Sequence, residues 1–141
     1  MANRFSFAIL CGICLLAQGL AFQLEDSLHH FKCFNESLCN DGPLHQKLPT
    51  CQNILTPEDS QEKIIYIRDN FFPANFDDGS GLVNAFCNTA DDKKPEAYQN
   101  IVSGAIANVK RKRDDPEQKG RYNRLYSMLE CLFGQLCNSS M

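Results

Sequence analysis

One pattern occurs twice, near the two ends of the chain: Phe31-Lys32-Cys33-Phe34-Asn35-Glu36-Ser37-Leu38-Cys39-Asn40 and Leu129-Glu130-Cys131-Leu132-Phe133-Gly134-Gln135-Leu136-Cys137-Asn138. Each runs from an apolar residue through a charge, a Cys and a second apolar residue to a Leu-Cys-Asn that closes a Cys-x5-Cys. Two further cysteines, Cys51 and Cys87, stand between them. A chain pinned at both ends and in its middle can adopt few folds, so the compartment and pairing of these cysteines come first.

The chain opens with one cation, Arg4, then the apolar run Phe5 to Leu16, then the small-residue stretch Ala17-Gln18-Gly19-Leu20-Ala21. That is the three-part layout of a secretory signal peptide, expected over residues 1–21. The run is too short for a membrane span, which needs about 20 apolar residues, and no other stretch is long and apolar enough. Cys11 and Cys14 have redox-motif spacing but fall in the segment expected to be removed. The rest, residues 22–141, reads as a single helical domain with six cysteines, and six in a short secreted chain imply three disulfides. A structural zinc site needs close Cys-x-x-Cys pairs, and residues 22–141 have none. Cleavage removes Arg4 and no acid, leaving 13 basic against 17 acidic residues. That mild acidity argues against nucleic acid as a partner.

Apolar spacing predicts helices throughout. Leu24, Leu28, Phe31 and Leu38 share one face of a first helix over 23–38, which Asn40-Asp41-Gly42-Pro43 stops. Leu44 to Leu55 reads as a connector. Thr56-Pro57-Glu58-Asp59 is an N-cap, a first-turn proline and two acids at the positive helix end. The helix it opens buries Ile64, Ile67, Phe71 and Phe72 and ends at Pro73. A short third helix over 82–90 carries Cys87, with Ser80 as the expected N-cap. Tyr98, Ile101, Val102, Ala105, Ile106 and Val109 mark a fourth helix, and Tyr122, Leu125, Tyr126, Leu129, Leu132, Phe133 and Leu136 a last one. No stretch alternates as a strand does. The expected class is all-α, a disulfide-braced bundle of four to five helices.

At about 100° per residue, Cys33 and Cys131 lie opposite the apolar stripes of their helices, with Cys39 and Cys137 on the flanks. They are placed to tether something behind each helix. Antiparallel ends give a nested order: Cys33 to Cys137, Cys39 to Cys131, Cys51 to Cys87. Tethering of each pair to the middle of the chain is the alternative. Cysteines six apart differ by about 120° around a helix, so nesting needs a break, for which Gly134 and Asn35 are the candidates. A nested order closing on Cys-x5-Cys resembles that of saposin-like lipid-binding domains. Those begin with Cys-x2-Cys, and here Cys51 and Cys87 are too widely spaced, so the chain is not placed in that family.

No catalytic signature is present. His29 and His30 point about 100° apart on a helix, and the third histidine, His45, is isolated, so no three- or four-ligand metal set forms. Gly79-Ser80-Gly81 lacks both the full nucleophile-elbow motif and its preceding strand. A calcium loop counted from Asn75 fails at Ser80 and Phe86, where Gly and Glu are required. Lys110-Arg111-Lys112-Arg113 has three readings: charge complementing a helix C-terminus, a basic contact patch extended by Lys119, Arg121 and Arg124, or a processing site cut after Arg113. Asn35 and Asn138 head glycosylation sequons.

The function expected from these features is that of a secreted, non-enzymatic binding protein without a cofactor. Its partner is an extracellular protein or receptor, engaged as by a signalling factor or a venom- or salivary-type effector. One alternative, prompted by the supply of aromatic rings, is a carrier of small hydrophobic ligands or lipids held between helices. Another is a precursor cut after Arg113 to a disulfide-linked two-chain hormone-like product.

Overall fold

The computed structural model describes residues 27–137, with side chains from His30 onward. The expected leader over 1–21 and the sequon at Asn138 lie outside the described residues. The chain is an all-α bundle braced by three disulfides, and the described residues contain no strand. Among the described residues six α-helices follow in order: α1 (Ser27–Cys39), α2 (Pro43–Gln52), α3 (Pro57–Asn70), α4 (Gly79–Cys87), α5 (Lys94–Arg113) and α6 (Lys119–Glu130). A 3-10 turn, Pro116–Gln118, leads into α6, and a π-helical segment, Cys131–Leu136, extends it.

The helix missed by the sequence reading is α2. The stop signal Asn40-Asp41-Gly42-Pro43 led into a stretch, Leu44 to Leu55, expected to be a connector, but neither proline prevents a helix here. Pro43 sits in the first turn, where no donor is needed. Pro49 faces solvent, so water can serve the carbonyl it leaves without a donor. Leu44, Leu48 and Cys51 repeat at helical spacing and turn inward.

The other elements start where local chemistry directs. At α3, the Thr56 hydroxyl accepts from the Asp59 N–H, and the Asp59 carboxylate accepts from the Thr56 N–H, both at 3.1 Å. At α4 the cap is Asp78, not Ser80: its carboxylate accepts the Gly81 N–H at 2.8 Å and Ser80 lies within the first turn. The expected stripe of α5 is buried throughout, from Tyr98 to Val109. Gly104 lets α5 approach α3 closely, because a β-carbon there would stand 3.0 Å from Ile67 and 3.1 Å from the Phe71 ring.

Two apolar clusters result. The main one joins Ile67, Phe86, the α5 stripe, Leu125, Met128, Leu129 and Phe133. From α1, Phe34 packs edge-on against Phe86 (5.2 Å between ring centroids) and lies against Tyr98 (4.9 Å). The smaller cluster, Leu48, Cys51, Cys131 and Leu136, packs α2 against the terminal π segment.

The disulfides are Cys33–Cys137, Cys39–Cys87 and Cys51–Cys131. The first is the outermost bond of the nested order. The inner two differ from that expectation, in which Cys39 met Cys131 and Cys51 met Cys87. The 120° divergence on a helix explains the change. Along unbroken α1, Cys33 faces the chain end while Cys39 faces α4, so neither helix has to bring both cysteines to one neighbour. No break occurs at Asn35. The loosening expected near Gly134 is present as the widened π turn, where Cys131 takes α2 as partner and Cys137 takes α1.

Candidate functional site

The cations of the basic run do not form one exposed patch. Lys112 is 9% exposed, and its Nζ pairs with Glu62 Oε1. Arg111 lies over the Tyr66 ring, 4.2 Å from its centroid, and reaches Glu62 at 3.4 Å. Arg113 pairs with neighbouring Asp114 at 3.4 Å, while Lys110 is exposed. From α6, Arg121 donates to Glu62 Oε2 at 2.5 Å and to Glu58 at 3.2 Å. Arg124 forks onto Asp59, with Nε at 2.5 Å and Nη2 at 3.1 Å. Three carboxylates of α3 thus engage Arg111 and Lys112 of α5 and Arg121 and Arg124 of α6. The hydrogen bond from Arg124 holds the Asp59 carboxyl below the usual range against the opposing effect of burial, and Thr56 adds to the lowering. Burial pushes Glu62 up, but Lys112, Arg121 and Arg111 together leave it below its ordinary value.

The remaining sequence candidates are scattered. His30 is buried with its ring edge-on to Phe133 at 5.6 Å, and the His45 Nδ1–H donates to the Ser37 carbonyl at 2.8 Å. Among the described residues no three His, Cys, Asp or Glu side chains converge into a metal site. Asn35 lies within α1, half-buried, and its carbonyl oxygen accepts from Lys94 Nζ at 3.3 Å. Among the described residues no helix is long and apolar enough to cross a membrane.

The feature the sequence did not reveal is a cavity of about 580 Å³ between the helices. Every helix and the terminal π segment supply part of its wall. The floor is apolar and buried, formed by Ile67, Ile101, Val102, Met128, Leu129 and Phe133. The exposed wall residues are His45 and Gln52 of α2, Asp78, Gly79 and Ser80 at the start of α4, and Asn84 further along it, so the mouth lies between these two helices. Ser60 and Lys63 of α3 stand in the wall as well, partly buried. Burial pushes the Lys63 ammonium down to about 8, because an apolar wall disfavours its charged form. An apolar floor beneath a polar rim can take up a molecule with an oily body and a polar end.

The histidines, the basic run and the Gly79-Ser80-Gly81 turn were all visible as motifs. The cavity has no linear motif, because its wall draws on residues from Phe34 to Cys137. Their helical spacing marked them as buried, but not as lining an opening. Compared with protein-family models, with curated proteins and with solved structures, the chain has no match.

Proposed function

We propose that the protein is an extracellular carrier of a small hydrophobic ligand. The observation that supports this reading is the cavity of about 580 Å³, with its apolar floor and polar mouth. Ligand sites in proteins have volumes of roughly 300–1,000 Å³ and the same make-up, mostly apolar with a few placed polar groups. Of the aromatic rings, Phe34 and Phe133 stand in the cavity wall, while Phe86 and Tyr98 fill the main core. Three disulfides fit an oxidising compartment, and the leader-like segment over 1–21 supports secretion. The charged surface proposed for a macromolecular partner, from Lys110 to Arg124, is largely spent on Glu58, Asp59 and Glu62.

The test is titration of the secreted protein with the fluorescent probe N-phenyl-1-naphthylamine. Saturable one-to-one enhancement is expected, and it is lost when Val83→Trp fills the partly exposed wall. Thermal unfolding of that variant checks that it is folded. An unaltered protein that binds no probe, or a folded Val83→Trp variant that binds it equally well, overturns the reading.

A further inference from the structure

Lys63 is out of place for a chain that spends its cations so thoroughly. Among the described residues it is the one cation that is neither exposed nor held in an ion pair or hydrogen bond. The other partly or fully buried cations all have partners: Arg68 with Asp69 and Asp77, Lys94 with Asn35, Lys112 with Glu62, Arg121 with Glu62, and Arg124 with Asp59. Placing an unpaired ammonium against apolar surface costs free energy, which an incoming anion relieves. The position of Lys63 fits that use. It stands in the cavity wall on α3, beside a mouth whose exposed residues belong to α2 and α4.

The polar groups sharing the rim are already engaged or uncharged. Asp78 is occupied in capping α4 through Gly81, and His45 donates to Ser37. Ser60 and Ser80 offer hydroxyls in the same wall. A ligand with its tail on the Ile67 and Phe133 floor and its head at the mouth therefore meets one positive charge without a carboxylate committed to it.

We infer that the carried ligand is a single-chain amphiphile with one anionic head, and that Lys63 Nζ is the counter-ion of that head. This rests on the carrier reading and adds the class of ligand to it. A single chain suits a cavity of about 580 Å³, and a compact ammonium binds carboxylate or phosphate as a point charge.

The experiment displaces N-phenyl-1-naphthylamine from the secreted protein with myristate, myristyl phosphate and myristyl alcohol, which share one chain and differ in the head. In the unaltered protein both anions are expected to bind about tenfold tighter than the alcohol, between the effects of exposed and buried charge pairs. Whichever anion binds tighter identifies the head. Lys63→Met should erase the preference while leaving the alcohol's affinity within twofold, and Lys63→Arg should keep it. Because Lys63→Met removes a lone charge from an apolar wall, that variant is expected to unfold no more easily than the parent. Affinity for both anions no greater than for the alcohol in the unaltered protein overturns the inference while leaving the carrier reading in place, as does a preference that survives Lys63→Met. Failure of the probe and all three amphiphiles to bind overturns both.

Discussion

Asp59 is where the capping of α3 meets its attachment to α6, and replacing it by asparagine separates the two roles. The carboxylate is fully buried and accepts from the Thr56 N–H at 3.1 Å and from both arms of Arg124, with the Arg121 guanidinium 3.6 Å away. Asparagine keeps the shape and one oxygen for Thr56, but turns an amide donor toward a guanidinium that has only donors to offer. Hydrogen bonds to charged groups contribute about 1.5–3 kcal/mol. Both arginines remain about one-third exposed and can turn to water, so the lower half of that range applies. Asp59→Asn should therefore cost about 2 kcal/mol. For a chain of this size that is about 8 °C in Tm. Asp59→Ala should cost about 1 kcal/mol more, through loss of the reciprocal cap. Urea unfolding with the disulfides intact measures both variants, and an unchanged m-value shows that the native state is intact. The pH dependence gives an independent check. The native carboxyl sits below its ordinary value, so its stabilisation is complete above an unfolded pKa of about 3.9 and is lost as pH falls through the native value. The parent and Asp59→Asn curves should accordingly converge in strong acid. A cost below about 0.5 kcal/mol at neutral pH, or full additivity with Arg124→Met, would refute the assignment of this pair as the link between α3 and α6.

Non-reduced peptide mapping should recover Cys39 linked to Cys87 and Cys51 linked to Cys131; a Cys39–Cys131 peptide would restore the nested order. Removing Cys39 and Cys87 together opens a bridge with a sequence separation of 48, worth about 4 kcal/mol by loop entropy, measured as the fall in unfolding free energy. Gly104→Val places methyl groups where even a β-carbon stands 3.0 Å from Ile67, so it should cost about 1–3 kcal/mol in the same assay. Cleavage after Arg113 should be slow in the native protein, because the run is helical and Lys112 is anchored on Glu62. Glu62→Gln should raise the rate of limited proteolysis there several-fold, and an equal rate would show that the anchor is irrelevant.

The helical class could be read from the sequence because periodicity reports burial directly. The α5 stripe from Tyr98 to Val109 and the cap at Thr56 are local signals that tertiary packing reinforces. Two failures share one cause. At α2, the stop signal ending in Pro43 led to a connector over Leu44 to Leu55, yet Pro43 sits in a first turn, where a lost donor costs little, and Leu44, Leu48 and Cys51 repeat at helical spacing. In the disulfides, the wheel placed each cysteine correctly off the main seam, but what lies behind the terminal segment is α2, which was not counted as a helix. With α2 absent, Cys51 had no element to carry it to Cys131, and the nested order was the simpler solution. The partners of the basic run were hidden for another reason. Glu58 and Asp59 read as first-turn acids of their own helix and Glu62 carried no signal, and only the crossing of α3 with α5 and α6 brings them to Lys112, Arg121 and Arg124.

The fastenings are divided in a way that makes room for the cavity. Disulfides join α1 to the chain end, α1 to α4, and α2 to the π segment. None of them touches α3, α5 or α6 in its main span. Those three are joined instead by Gly104, which lets α3 and α5 approach closely, and by the carboxylate cluster of α3. Every wall of the cavity is thus secured by a bond or ion pair outside its apolar floor. Covalent bridges restrict the unfolded chain whether or not the core is tightly filled. The repeated Cys-x5-Cys follows from the same division. Each copy sends its two cysteines to two different neighbours, so two short segments fix the relative positions of four elements.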